Sequence, residues 1–221
     1  MRNFSCLIAA LAVLAISAAG AAENAYPIKP IRLISPFAPG GGNDTMARAV
    51  GGKLAEAWGH QVVVDNRPGA NGILACEITA KASPDGYTLL MANAGSHGIN
   101  PALYRKLPYD AVKDYTPVSL LGWTANILVL HPSIPAGNIK ELVALAKSRP
   151  GQLTYGSNGT GSTQHLAGVM FGSELGVELV HVPYKGTGPA TIDLLAGHLS
   201  LNFGNSVAVL PHVKTGRLKA I

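Results

Sequence analysis

Seven short apolar runs of strand character alternate with five stretches of helical periodicity in this chain, and that alternation restricts its fold more than any other feature. The strand candidates are residues 31–35, 61–65, 87–92, 127–131, 153–156, 178–182 and 199–203. Between them lie helical patterns at 43–58, 71–82, 138–148, 163–175 and 189–196. Such an order predicts an α/β fold with largely parallel sheets. Asn138 is a good N-cap, Pro150-Gly151 a stop, and Asp85-Gly86 after Pro84 a turn. Residues 100–116 read as irregular and rich in Tyr and Pro, and a fresh alternation begins after residues 117–126, where a lobe boundary is expected.

The N-terminus predicts export. Met1-Arg2-Asn3 is a short cationic start, residues 4–16 are almost wholly apolar, and small residues lead to a cleavage site expected after Ala22. This is the pattern of a secretory signal peptide, and the run is shorter than the ~20 residues that span a bilayer. Loss of Cys6 with the signal leaves Cys76 alone, and its alanine-rich helical context suggests a small buried hydrophobe. Outside the cytoplasm ATP and nicotinamide cofactors are scarce, and no GxxxxGK[ST] occurs. Gly159-Thr160-Gly161 has Gln164 where the last glycine of GxGxxG belongs. No cofactor is expected. The formal charge of +5 becomes +4 once Arg2 leaves, with 16 cationic and 12 acidic residues remaining. These are scattered, which gives no support to nucleic-acid binding. The seven histidines stand far apart in sequence, so spacing supports no metal centre.

Four polar, glycine-rich loops at strand ends hold the candidate chemistry. In residues 31–44 the run IRLIS empties into PFAPGGG and then Asn43-Asp44. Gly40, Gly41 and Gly42 let the backbone approach a ligand, and the helix that follows offers free N–H groups and the positive end of its dipole to an anion. A tight βα turn without a ligand fits these residues equally well. Residues 157–165, SNGTGSTQH, repeat the device. Pro183-Tyr184-Lys185-Gly186-Thr187-Gly188 adds one cation, and Gly204-Asn205-Ser206 adds amide and hydroxyl groups. Taken singly, Lys185 reads as a solvated lysine and Tyr184 as a packed aromatic. Ala94-Gly95-Ser96-His97-Gly98 approximates the GxSxG nucleophile elbow, but an elbow needs a helix directly after the serine, and Asn100-Pro101 argues against one. In open α/β sheets such loops converge at the carboxyl ends of the strands.

The succession YPIKPIRLISPFAPGGGND, VVVDNRPGANG, ASPDGYTLL, NPALYRKLPYD, HPSIPAGNIKELVALAK, RPGQLTYGSNGTGSTQHLAG, HVPYKGTGPA and LPHVKTGRLKAI resembles the substrate-binding protein of the tripartite tricarboxylate transporter, the Bug family. The resemblance covers nearly all of residues 26–221. It implies a two-lobed periplasmic-binding-protein fold of the Venus flytrap kind, a monomeric, non-catalytic receptor holding a small organic carboxylate, and permease subunits as partners. First-lobe contacts carried over from the family are Phe37, Pro39, Gly40, Gly41, Asn93, Ser96 and His97. Those from the second lobe are Ser157, Gly161, Ser162, Thr163 and His165, with Lys185, Gly186 and Thr187 at the rim and Asn205 from the loop after the seventh strand. The expected division is a signal over 1–22, a first lobe over 23–120 and a second over 121–221, with residues 118–125 as hinge. Where the family commonly has Phe-Asp-Asn, this chain has Phe203-Gly204-Asn205, which removes an acceptor from the cleft. The family chain also runs on by about a hundred residues that return to the first lobe, so a C-terminally incomplete fold is expected. The rival readings are a secreted serine hydrolase using Ser96 and an inactive remnant.

Overall fold

The computed structural model describes residues 26–221; the signal peptide expected at 1–22 lies outside the described residues. The chain builds two sheets. In the first, β1 (Ile31–Ser35) is the central strand between β2 (Val62–Asn66) and β3 (Thr88–Leu90), all parallel, with Ile31 opposite Val62 and Arg32 opposite Thr88. Helix α1 (Gly42–Trp58) begins where the three glycines end. It stops at Gly59, whose left-handed φ of 68° lets its N–H return to the Ala55 carbonyl at 3.0 Å. Alternation along β1 sends Leu33 into a core with Ala47 of α1 and Met91, flanked by Val62, Val64 and Leu89. Helix α2 (Ile73–Ala80) packs against β3 and β1 and buries Cys76 completely. Burial pushes that thiol up, so it behaves as the inert core residue its context suggested.

The second sheet has the order β6-β5-β7-β4-β8. Its strands are β4 (Asn126–Leu130), β5 (Thr154–Ser157), β6 (Val180–Pro183), β7 (Leu201–Asn205) and β8 (Lys219–Ala220). Neighbouring residues on one strand serve opposite faces. Leu130, Tyr155, Leu201 and Phe203 join Leu142 and Ala146 in one core, while Val129 turns the other way to Leu194, Leu199, Val209 and Leu218. Full burial of each such Leu contributes about 1.5–3 kcal/mol, and this sheet carries the larger share of the buried apolar side chains.

The sheets are largely parallel, as expected, with one exception: β4 runs antiparallel to both β7 and β8. Apolar periodicity shows which residues are covered and is blind to the direction of the neighbouring strand. One expectation is corrected here. Residues 100–116 are not wholly irregular: residues 95–99 form a π-type turn that runs on into α3 (Asn100–Leu103). Pro101 lacks the N–H that would reach back to the Ser96 carbonyl of the preceding π-type turn, and the Tyr109 hydroxyl donates to that carbonyl in its place. A further helix, unseen in the sequence pattern, covers Ser206–Lys214; it follows α4 (Ile139–Ser148), α5 (Thr163–Leu175) and α6 (Thr187–Leu195) and is α7. Asn205 caps it by accepting from the Val207 N–H at 3.1 Å, so a residue read as loop starts a helix. Between the sheets, residues 104–125 form no helix or strand, and from residue 116 on the segment is exposed.

Candidate functional site

The loops that follow β1, β2, β5 and β6 meet around a cavity of about 320 Å³. From the first sheet come Phe37, Gly69, Ala70, Asn71 and, beyond α3, Tyr104; from the second come Asn158, Gly159, Thr160, Pro183, Tyr184 and Lys185. Each of these four loops leaves the carboxyl end of a parallel strand, the position at which open α/β sheets present ligand sites. The cavity is lined by three aromatic rings, neutral amides and one cation. Lys185 is exposed and makes no ion pair among the described residues. Tyr184 is anchored by its hydroxyl, which donates to Asp193 Oδ2 at 2.6 Å, so it is a packed aromatic and a wall of the cavity at once.

Backbone meets backbone at one edge of the cavity. The Ala38 N–H donates to the Lys185 carbonyl at 2.8 Å. A Cβ placed on Gly41 would lie 3.4 Å from the Gly188 nitrogen, and one on Gly186 would lie 3.1 Å from the Ala38 nitrogen. The glycines of PFAPGGG and of KGTG thus face each other, and the two sheets' loops are in a closed arrangement. The first turn of α1 already holds an anion of its own. Asp44, buried at 4% exposure, accepts from the Gly40 N–H at 3.1 Å, from Asn66 Nδ2 at 2.9 Å and from Arg48. Burial opposes its ionisation, but these hydrogen bonds outweigh it and hold the carboxyl below the usual carboxylate range.

The residues expected to bind fall into three positions. Phe37 and Lys185 line the cavity. Pro39, Gly40, Gly41, Gly186 and Thr187 form the closed edge, where Thr187 Oγ1 donates to Asn158 Oδ1 at 2.8 Å and Asn205 lies against Gly42. The others shape the loops from within. Ser162 caps α5 through the His165 N–H at 3.2 Å, with Thr163 as the first helical residue, and the Gly161 N–H donates to His165 Nδ1 at 3.3 Å. Ser157 Oγ accepts from the Gly159 N–H at 3.0 Å and bonds His181 Nε2 at 2.6 Å. Asn93 and Ser96 bond each other, and Ser96 Oγ lies 2.9 Å from His97 Nδ1. Ser96 is fully buried with its hydroxyl given to the Asn93 carbonyl, so the helical turn that does follow it presents no exposed nucleophile.

The Gly69–Asn71 wall and Tyr104 were missed. The signal was present as Pro68-Gly69 and Asn71-Gly72, turn dipeptides placed just after a strand. There Ala70 and Asn71 adopt left-handed φ of 44° and 52°. Gly204 has a local reason: a side chain there would run into Val209 of α7, so the position faces a helix and not the cavity.

The rings of His165 and His181 pack together at a tilt of 45°, centroids 4.4 Å apart, behind the loop of residues 157–161. Burial and the neighbouring His165 push His181 down to about 4. The unfolded chain therefore takes up the proton first, and the contribution of His181 to stability is whole above about pH 6.5 and lost as pH falls through about 4. The melting temperature is expected to fall by about 5 °C across that window through this residue. Comparing the wild type with His181→Gln in melts from pH 7 to pH 4 checks it; parallel curves for the two proteins would contradict it.

Comparison with known proteins agrees with this architecture. The profile of the tripartite tricarboxylate transporter family receptor matches residues 46–221. The chain is 38% identical over 199 residues to the protein BugT of Bordetella pertussis, covering 90% of this chain and 61% of BugT. A Rhodopseudomonas palustris protein solved with adipate superposes with a TM-score of 0.85 at 36% identity, covering 89% of this chain and 66% of that one. MatC of Rhodopseudomonas palustris, solved with bound malate, gives 0.81 at 33% identity, covering 88% and 66%. The chain thus spans about three fifths of the length of BugT and has the α/β architecture of a periplasmic binding protein. By sequence and by fold, it belongs to the tripartite tricarboxylate transporter receptor family.

Proposed function

We propose that the protein works in the periplasm as a monomeric receptor that captures a small organic carboxylate between its two lobes and delivers it to membrane permease subunits. The observation that carries this reading is the cavity of about 320 Å³ walled by loops from both sheets, with Lys185 as its cation. Neutral loop amides hold an anion with little side-chain entropy to lose, and closure removes the water that would weaken them. Relatives solved with adipate and with malate support a carboxylate as the ligand. In this reading residues 23–120 form the first lobe, residues 121–221 the second, and the unpaired segment 118–125 acts as hinge. Phe37 and Lys185 touch the ligand. Pro39, Gly40, Gly41, Gly186, Thr187 and Asn205 govern closure, and Asn93, Ser96, His97, Ser157, Gly161, Ser162, Thr163 and His165 hold the loops in shape. Catalysis forms no part of the role.

A thermal-shift screen against dicarboxylates, tricarboxylates, aromatic acids, acidic amino acids and nicotinate tests this. A ligand at 100 times its dissociation constant adds about 2.7 kcal/mol, which in a chain of this size raises the melting temperature by about 5–10 °C. A folded sample that responds to none of these acids refutes the carboxylate reading.

A further inference from the structure

The loop of residues 157–161 is where the second lobe meets the first beside the cavity. Asn158, Gly159 and Thr160 wall the cavity itself. Gly161, at a left-handed φ of 85°, nests among first-lobe side chains: a Cβ there would lie 2.6 Å from Leu103 Cδ2 and 3.4 Å from both Asn100 Oδ1 and Asn71 Nδ2. Two histidines hold this loop from behind. The Gly161 N–H donates to His165 Nδ1 at 3.3 Å. A backbone N–H can only donate, so Nδ1 carries no proton and the ring is neutral, with its hydrogen on Nε2. His181 Nε2 lies 2.6 Å from Ser157 Oγ, which accepts from the Gly159 N–H at 3.0 Å and is 3.2 Å from the Gly159 carbonyl oxygen.

The two histidines differ in what a proton does to these bonds. A hydrogen on His181 Nε2 is donated to Ser157 Oγ, whose own hydrogen turns to the Gly159 carbonyl, so every partner is kept. A hydrogen on His165 Nδ1 points at the Gly161 N–H, donor against donor, and that bond is lost. Both rings are partly exposed, so protons reach them. The surroundings do nothing to neutralise a charge there. β5 presents Tyr155, whose ring centroid is 5.1 Å from that of His181 and whose hydroxyl is 3.4 Å from the His165 carbonyl oxygen; burial keeps it a neutral phenol. β6 presents His181 itself, α3 presents Asn100 and Leu103 to the loop, and α5 carries no other titratable group before Glu174 near its far end. Among the described residues neither ring pairs with a carboxylate. Burial holds both histidines below their ordinary range, and the charge of a protonated His165 pushes His181 down further, so His165 takes the proton ahead of it.

We propose that His165 is a pH-sensitive latch on the cleft: neutral, it seats the 157–161 loop against the first lobe so that the closed, ligand-holding state forms, and protonated, it lets go of Gly161 and the ligand is released. This rests on the cleft being a carboxylate site. With the lobes apart the ring is free to titrate in the ordinary histidine range, and closure requires it neutral. Affinity is therefore full above about pH 6.5 and falls by up to about tenfold per pH unit below it, as closure has to expel a proton that the open form has taken up.

The test is calorimetric titration with the acids of the thermal-shift screen, malate, adipate, citrate and nicotinate among them, at pH 7.5 and pH 5.5. Buffers of different ionisation enthalpy count the protons released on binding. His165→Asn places an oxygen where Nδ1 stood, which accepts from the Gly161 N–H and takes up no proton in this range. Whatever its affinity at pH 7.5, this variant is expected to keep it at pH 5.5, apart from any proton the acid itself gives up. Over and above that change, the wild type is expected to bind about 10-fold weaker at pH 5.5 and to release about one proton more. His181→Gln should retain the pH dependence, because the group that opposes the Gly161 N–H is still present. Thermal melts at both pH values confirm that the variants fold. Independently of any variant, the Gly161 amide resonance of the wild type with acid bound is expected to follow the His165 ring with one midpoint in an NMR titration. Equal wild-type affinities at the two pH values, a pH dependence that survives in His165→Asn, or a Gly161 amide that ignores the His165 titration overturns this proposal and leaves the carboxylate reading standing. Failure of every acid to bind at pH 7.5 overturns the two together.

Discussion

Gly188→Ala should reduce carboxylate affinity about 100-fold or more while leaving the ligand-free protein folded. Gly188 lies in the first turn of α6, and a Cβ there would fall well inside van der Waals contact of the Pro39 carbonyl oxygen and 3.1 Å from the Gly40 carbonyl carbon. Both are backbone atoms of the loop after β1, so no rotamer change relieves the clash, and the two loops must separate. The helix itself gains from the exchange, since Ala is favoured over Gly in a helix by about 1 kcal/mol. The fold is therefore expected to hold while the closed state is lost. Losing 100-fold in affinity corresponds to about 2.7 kcal/mol, the scale of one abolished closure contact plus the water it admits. Gly52→Ala is the control: it lies within α1 with nothing within 4 Å of the added methyl, so it should leave binding unchanged. Calorimetry with the tightest acid from the thermal-shift screen reads both variants. Wild-type affinity in Gly188→Ala would mean that the backbone contact across the cleft plays no part in holding ligand.

Gly204→Asp is expected to unfold the protein or lower its stability by about 3–5 kcal/mol. The position is buried in β7, and its missing side chain is replaced by Val209 of α7, packed with Val129, Leu194 and Leu218. A carboxylate there would be desolvated without a cation, a cost of several kcal/mol, on top of the overpacking. A domain holds only about 5–15 kcal/mol in total, so the loss is visible in urea titration. Gly204→Ala isolates the steric part at about 1–3 kcal/mol, and adding Val209→Ala should return some of that loss. Equal denaturation midpoints for wild type and Gly204→Asp would contradict this placement of the residue. The reading from sequence had treated Gly204 as a lost cleft acceptor; in this chain it is a packing position under a helix.

Much of the architecture was legible because short-range chemistry writes itself into order along the chain. All seven expected strands lie within two residues of their expected bounds, and α1, α4 and α5 start and stop where glycine, Asn138 and Ser162 place their caps. What the pattern missed or left open shares a cause. Strand direction at β4, the helix under Pro101, and α7 behind Asn205 depend on partners distant in sequence. The site was legible as a set of loops but not as a surface. Ser157, Ser162, Asn93 and Ser96, which the family resemblance implied as ligand contacts, bond to the loops' own backbone. Asn71, which lines the cavity, is not marked by the sequence because a turn dipeptide looks the same whether or not a cavity lies behind it.

By itself the sequence determined the kinds of element, their order, the glycine loops at the strand ends and the family. Those follow from backbone sterics, side-chain periodicity and capping, which act over a few residues. Only the tertiary structure decided which loops face one another and that Gly41 meets Gly188 across a cleft. These are contacts between residues tens of positions apart. They exist once packing brings the two sheets together, and no local pattern encodes them.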